Sequence, residues 1–179
     1  YAGQFSASLD GTKVHYGASS ATILFDFDPA TGVFSNPIDL NHLYVTAGAF
    51  ASGGQYVYTA QNIAPRHIFQ YDLLAADIPA SEVLIGTGDV NQGQMQCGPD
   101  GRIYVSRNNR TKLGVINNPN AAGLASDFQL EGFDLNGREC AAGLPNFVND
   151  LLAPIATGVG TAPAPAALRC WLTDAGLRI

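Results

Sequence analysis

The sequence predicts an all-β fold built from a repeated four-stranded sheet, on three observations: a recurring phrase, strand-like segments that follow it in constant order, and an abundance of turn residues. The phrase runs Gly-Gln-Phe-Ser-Ala-Ser-Leu-Asp-Gly at 3–11, Gly-Ala-Phe-Ala-Ser-Gly-Gly at 48–54 and Gly-Gln-Met-Gln-Cys-Gly-Pro-Asp-Gly at 93–101, so Gly3, Gly48 and Gly93 stand 45 residues apart. Each copy passes from a glycine through a short apolar stretch into a glycine turn. A period of this length filled with strand-like residues is the signature of a β-propeller, in which each repeat is one small sheet, or blade. The chain is 46% hydrophobic and 13% charged, with 20 glycines and 10 prolines. That supplies a core and many short connections.

The remaining strands follow in order. Segments 12–17, 55–60 and 102–106 carry the aromatic and β-branched residues of a half-buried pleated surface, with Val14, Val57 and Ile103 in register. A third segment comes at 23–28, 67–72 and 112–117. In the first two copies Asp28 and Asp72 lead into turns, Pro-Ala-Thr-Gly at 29–32 being the clearest. Fourth strands are placed at 33–40, 81–87 and 128–135. The blades thus span about 3–47, 48–92 and 93–142. Asn136-Gly137 marks a tight turn, and Gly-Leu-Pro-Asn-Phe-Val at 143–148 reads as an extra strand of a further unit. The propeller region is 1–152, and 153–179 is linker and tail.

Charge and composition narrow the function. The net charge is -6, with only nine lysines and arginines, which speaks against nucleic acid as a partner, since phosphate binding needs clustered cations. The densest basic stretch, Arg102, Arg107, Arg110 and Lys112, reads as a solvated loop between two strands, or else as an anion or partner contact. No apolar run reaches the roughly 18 residues of a membrane span, and a soluble protein is expected. Cys97, Cys140 and Cys170 lack Cys-x-x-Cys or Cys/His metal spacing and read as buried free thiols, a bridge between Cys97 and Cys140 being the alternative.

Few residues point to chemistry. No Gly-x-Ser-x-Gly elbow, phosphate loop or His-Glu-x-x-His is present. His15 aligns with Tyr58 and Tyr104 and so takes a structural strand position. His42 sits in a connection between units, where propeller rims bind ligands, and His67 opens a strand after Pro65-Arg66. With Asn62, Arg107 and Asn109, in loops near strand ends, these two histidines form the candidate ligand-binding set; no catalytic residue is assigned. Asp26, Asp28 and Asp72 recur at matching positions, and a ring of carboxylates would suit calcium. Asx-type turns explain Asp28 and Asp72 equally well. No cofactor or metal is assigned.

Several phrases carry a family resemblance: Leu-Asp-Gly-Thr-Lys at 9–13, Ile-Leu-Phe-Asp-Phe-Asp-Pro-Ala-Thr-Gly at 23–32, Gly-Pro-Asp-Gly-Arg-Ile-Tyr-Val at 98–105, Leu-Gly-Val-Ile-Asn-Asn-Pro-Asn at 113–120 and Gly-Leu-Pro-Asn-Phe at 143–147. Residues 1–150 resemble the WD40-like or YVTN-like propeller region of secreted bacterial surface proteins, many of which carry a PKD-type module and a gliding-motility-associated or sorting domain near the C-terminus. The resemblance implies a secreted or cell-surface location, although no signal peptide precedes Tyr1. It implies a noncatalytic binding or scaffold module that recognises a protein or glycan through its loops. The alternative is a metal-dependent lactonase- or lyase-like propeller enzyme, which requires His42, His67 and carboxylates to converge near the axis. The family's propeller is longer and Gly-Leu-Pro-Asn-Phe comes near its end, so this chain resembles the C-terminal half.

Closed propellers use four to eight blades. Three blades plus one strand leave two raw faces, and oligomerisation, with a homodimer favoured, is the expected way to cover them. The alternative cover is the C-terminal tail, with Trp171 and Leu172 as plugs.

Overall fold

A computed structural model describes residues 3–144, together with the backbone of two short strands at 171–173 and 176–178. The described residues are all-β apart from two 3-10 turns, Pro79–Ser81 and Gly123–Ser126. The strands are β1 (Gln4–Ala7), β2 (Lys13–Gly17), β3 (Thr22–Asp28), β4 (Val33–Asp39), β5 (Val45–Phe50), β6 (Tyr56–Gln61), β7 (His67–Asp72), β8 (Val83–Thr87), β9 (Gln92–Cys97), β10 (Ile103–Arg107), β11 (Lys112–Ile116) and β12 (Phe128–Asp134). They form three antiparallel four-stranded sheets, β1–β4, β5–β8 and β9–β12, each a meander in chain order and none closed on itself. Trp171–Thr173 and Gly176–Arg178 pair as a separate hairpin, β13 and β14. The expected strand at 143–148 falls largely outside the described residues, and Gly143 and Leu144 lie in no strand. The side chains of Trp171 and Leu172 are outside them too.

The repeated phrase earns its place in the geometry. Gly11, Gly54 and Gly101 each have a positive φ, and each donates its N–H to the carbonyl three residues back, at 3.0 Å in all three copies. This left-handed position is open to glycine and strained for other residues. Asp28, Asp72 and Asp134 close later turns, accepting from the N–H two residues on at 2.7–2.9 Å.

β5 lies between β1 and β9, so the sheets meet face on, in a propeller-like order. Alternation along each strand gives every sheet two faces. The face toward the preceding sheet we call leading, and the opposite one trailing. Between the first and second sheets, Leu24 and Leu40 pack against Phe50, Val57, Phe69, Tyr71 and Leu73. Between the second and third, Tyr58, Ala60, Ile68 and Ile85 pack against Met95, Cys97, Ile103, Val105 and Ile116. Val57 and Ile103 thus sit on leading faces and Tyr58 on a trailing face, which is why neighbours in the repeat diverge in environment.

Missing side chains make room at both junctions. A Cβ on Gly48 would overlap the imidazole of His15, and one on Gly86 would overlap the ring of Phe128, which also lies against Gly114. His15 is fully buried and neither ring nitrogen has a hydrogen-bond partner among the described residues. Burial pushes its pKa down from 6.5 to about 4.

Two outcomes follow. Gly48→Ala should cost about 2 kcal/mol in urea unfolding, because the imidazole has nowhere to retreat. Above pH 6.5 His15 is neutral folded or unfolded; below it only the unfolded chain binds the proton, until the folded pKa near 4 is reached. Stability should therefore fall by about 1.4 kcal/mol per pH unit across that window, roughly 3 kcal/mol in all, and His15→Leu should flatten that part of the profile.

Candidate functional site

Three of the five residues singled out in the sequence gather at one junction of the first two sheets. Leu40–Tyr44 connects β4 to β5, and its His42 carbonyl accepts from Thr22 Oγ1 at 2.8 Å. The His42 ring stacks on Phe69 at 4.3 Å, and His67 lies against the same phenyl ring at 5.5 Å. His42 Nε2 meets Glu82 Oε2 at 2.5 Å, and Tyr71 donates to the same oxygen at 2.9 Å. Gln61 Nε2 lies 3.4 Å from His42 Nδ1, which fits an Nε2–H tautomer that donates to Glu82. Burial, followed by the Glu82 charge, drives the Tyr71 phenol well above its ordinary pKa, so it stays a donor. Asn62, the next residue after β6, anchors the loop by donating its N–H to Tyr44 O at 2.7 Å.

Arg107 lies elsewhere and differs from its expected environment. It belongs to strand β10 and is 1% exposed, so the basic stretch is not a solvated loop along its whole length. Its Nη2 pairs with Asp89 Oδ1 at 2.8 Å, and its Nη1 reaches Lys112 O at 3.3 Å and Glu131 Oε1 at 3.5 Å. Arg110 holds the other Asp89 oxygen at 3.1 Å, and Lys112 pairs with Glu131 at 3.2 Å. Burial pushes the Asp89 carboxyl up, but the bonds from Arg107 and Arg110 outweigh it and hold the pKa below its ordinary value. A buried guanidinium needs these acceptors because an unpaired charge in the interior is very costly. Asn109, at the tip of the β10–β11 hairpin, has φ of 56° and donates its N–H to Cys140 O at 2.9 Å.

The carboxylates are also committed. Asp26 pairs with Lys13 at 2.6 Å and accepts from Asn36 at 2.7 Å, while Asp28 and Asp72 hold their turns. Among the described residues no three His, Cys, Asp or Glu side chains come together to hold a metal. Cys97 and Cys140 are buried free thiols, and burial raises the Cys97 pKa.

A polar groove at the rim between the second and third sheets contains none of the five candidate residues. Ser52, Asp100, Asn117, Asn118 and Asn120 line about 580 Å³. Its loop is fixed from below: Tyr58 donates to Pro119 O at 2.8 Å, and Gln70 bonds Ala121 O at 2.7 Å and Gly123 N at 2.6 Å. Asn120 ties it to the opposite turn, accepting from Gly53 N at 2.7 Å and donating to Ser52 Oγ at 3.1 Å. The arrangement is a preformed, hydrogen-bonding ledge in which the Asp100 carboxylate lies beside the carboxamides of Asn117, Asn118 and Asn120.

No family model and no curated protein sequence matches the chain. Among solved structures, hydrazine synthase of Kuenenia stuttgartiensis matches at 17% identity and TM-score 0.46, over 63% of this chain and 31% of that one. A luciferin-regenerating enzyme matches at 16% identity and TM-score 0.45, over 59% of this chain and 36% of that one. The chain spans about a third of the length of each, and neither likeness assigns an activity.

The two parts of the Arg107 network should respond differently to truncation. Asp89→Ala removes the main partner of a buried cation and should cost about 3 kcal/mol in chemical unfolding. Arg110→Ala removes a half-exposed cation from the same carboxylate and should cost under about 1 kcal/mol.

Proposed function

We propose that the chain is a noncatalytic binding or scaffold module: a three-blade arc of a β-propeller that is completed by association of copies, with a dimer favoured. In this reading its rim loops recognise a protein or a glycan, at the cell surface or outside the cell. The observation that carries it is the contrast between the sealed and the bare faces. Both internal junctions bury large side chains, whereas the leading face of the first sheet presents Phe5, Phe25, Phe27 and Phe34, with Phe5 63% and Phe34 50% exposed. Phe34 touches both Phe25 and Phe27, at 5.6 and 4.8 Å between ring centres, so these rings form one continuous apolar surface. Exposed patches of this kind mark interaction sites on soluble proteins.

The rim groove supports the recognition half of the reading. Asn117 and Asn118 offer carboxamides beside Ser52 on a loop already anchored by Tyr58 and Gln70. Carboxamides and a hydroxyl beside the Asp100 carboxylate in a shallow cleft suit hydroxyl-rich or peptide ligands better than phosphates, and a preformed ledge binds with little ordering cost.

Sedimentation at micromolar concentration tests the association. The expected mass is twice that of the 18.8 kDa chain, and a stable monomer overturns the reading.

A further inference from the structure

We propose that the copies join head to tail, the leading face of the first sheet in one copy packing on the trailing face of the third sheet in the other, with Phe5 entering a pocket there. This rests on the association above and adds which surfaces meet.

Residues that face outward on the first sheet have sealed counterparts in the other two. Phe5 and Met95 each stand two residues after the glycine that opens the phrase and pair with matching residues of the next strand, Phe5 with Tyr16 and Met95 with Val105. Met95 is 1% exposed in the second junction, pressed into the sheet before it. Phe5 occupies the same place on the first sheet, where no described sheet precedes it. The third strand and the residue after it repeat the pattern: Tyr71 and Leu73 are sealed against the first sheet, while their counterparts by register, Phe25 and Phe27, are only half-buried. The leading face of the first sheet therefore carries side chains built for a sheet contact.

The other end of the molecule offers the matching surface. Tyr58, on the trailing face of the second sheet, is fully buried by the third; its counterpart Tyr104 is half-exposed on the trailing face of the third. Beside Tyr104 lies an apolar pocket of about 310 Å³, lined by Gln96, Pro99, Leu113 and Leu144. Phe133 stands edge-on to Tyr104 at 5.6 Å and walls the outer side. A phenyl ring from a leading face is what this kind of surface receives at the internal junctions. One chain thus holds both halves of the contact, so two copies related by a two-fold axis satisfy each other twice and close a ring of six sheets.

Head-to-tail pairing has a signature that a like-with-like interface lacks. Phe5→Asp spoils one face and Tyr104→Asp the other, so either variant alone should sediment as a monomer, its dissociation constant raised more than tenfold. An equimolar mixture should regain dimer mass, because one intact leading face and one intact trailing face remain. A dimer indifferent to Phe5→Asp, or a mixture that stays monomeric, overturns the pairing while leaving association standing; a monomeric wild-type chain overturns both. If either variant loses its β-sheet circular dichroism, benzoylphenylalanine at position 5 of the otherwise unchanged chain gives the answer. Its photo-crosslink should fall within residues 96–113 of a second copy, and a crosslink elsewhere, or none, overturns the pairing.

Discussion

Face-to-face packing of small twisted sheets is the constraint on which the rest of this molecule depends. Each sheet is too small to bury its own apolar residues, and stability comes from what it shares with its neighbours. The contact is tight enough that side chains had to be removed for it: Gly48 gives its place to His15, and Gly86 and Gly114 give theirs to Phe128. Those glycines serve close approach, not turns. The end of the array contrasts with the junctions: on the first sheet Phe5 is 63% and Phe34 50% exposed.

Polar groups follow from that packing. Tyr58 is buried by the third sheet, so its hydroxyl must find partners, and it finds Pro119 and Gln70. Those bonds, with the Gln70 contacts to Ala121 and Gly123, fix the loop that forms the rim groove. A core tyrosine thereby shapes a surface site. Arg107 is the parallel case: a buried cation that gathers Asp89 and Glu131 around the start of the third sheet. His42 joins connector to sheet through Glu82 at the junction of the first two sheets.

The fold was more legible than the sites. Strand order and the four-strand unit could be read because turn glycines and alternating apolar residues act locally, within a few positions of the structure they cause. Gly11, Gly54 and Gly101 recur in sequence because they recur in backbone conformation. Partners were not legible in the same way. Glu82 beside His42 and Asp89 beside Arg107 are cross-sheet or cross-loop neighbours, set by register and not by spacing. Arg107 read as solvated because its neighbours Asn108, Asn109 and Arg110 are turn-like, yet it is the last residue of its strand and is buried against Asp89, Lys112 and Glu131. The exposed state of Phe5 was equally hidden, since its counterpart Met95 is a core residue.

The account turns on whether the bare faces stay bare. Hydroxyl-radical footprinting with mass spectrometry, run across a dilution series, reads this at single side chains. The expected result is that Phe5, Phe34 and Tyr104 are protected together at high concentration and become reactive together on dilution, while Phe50 stays protected throughout. Reactivity of Phe5 and Tyr104 that is the same at every concentration would contradict the account.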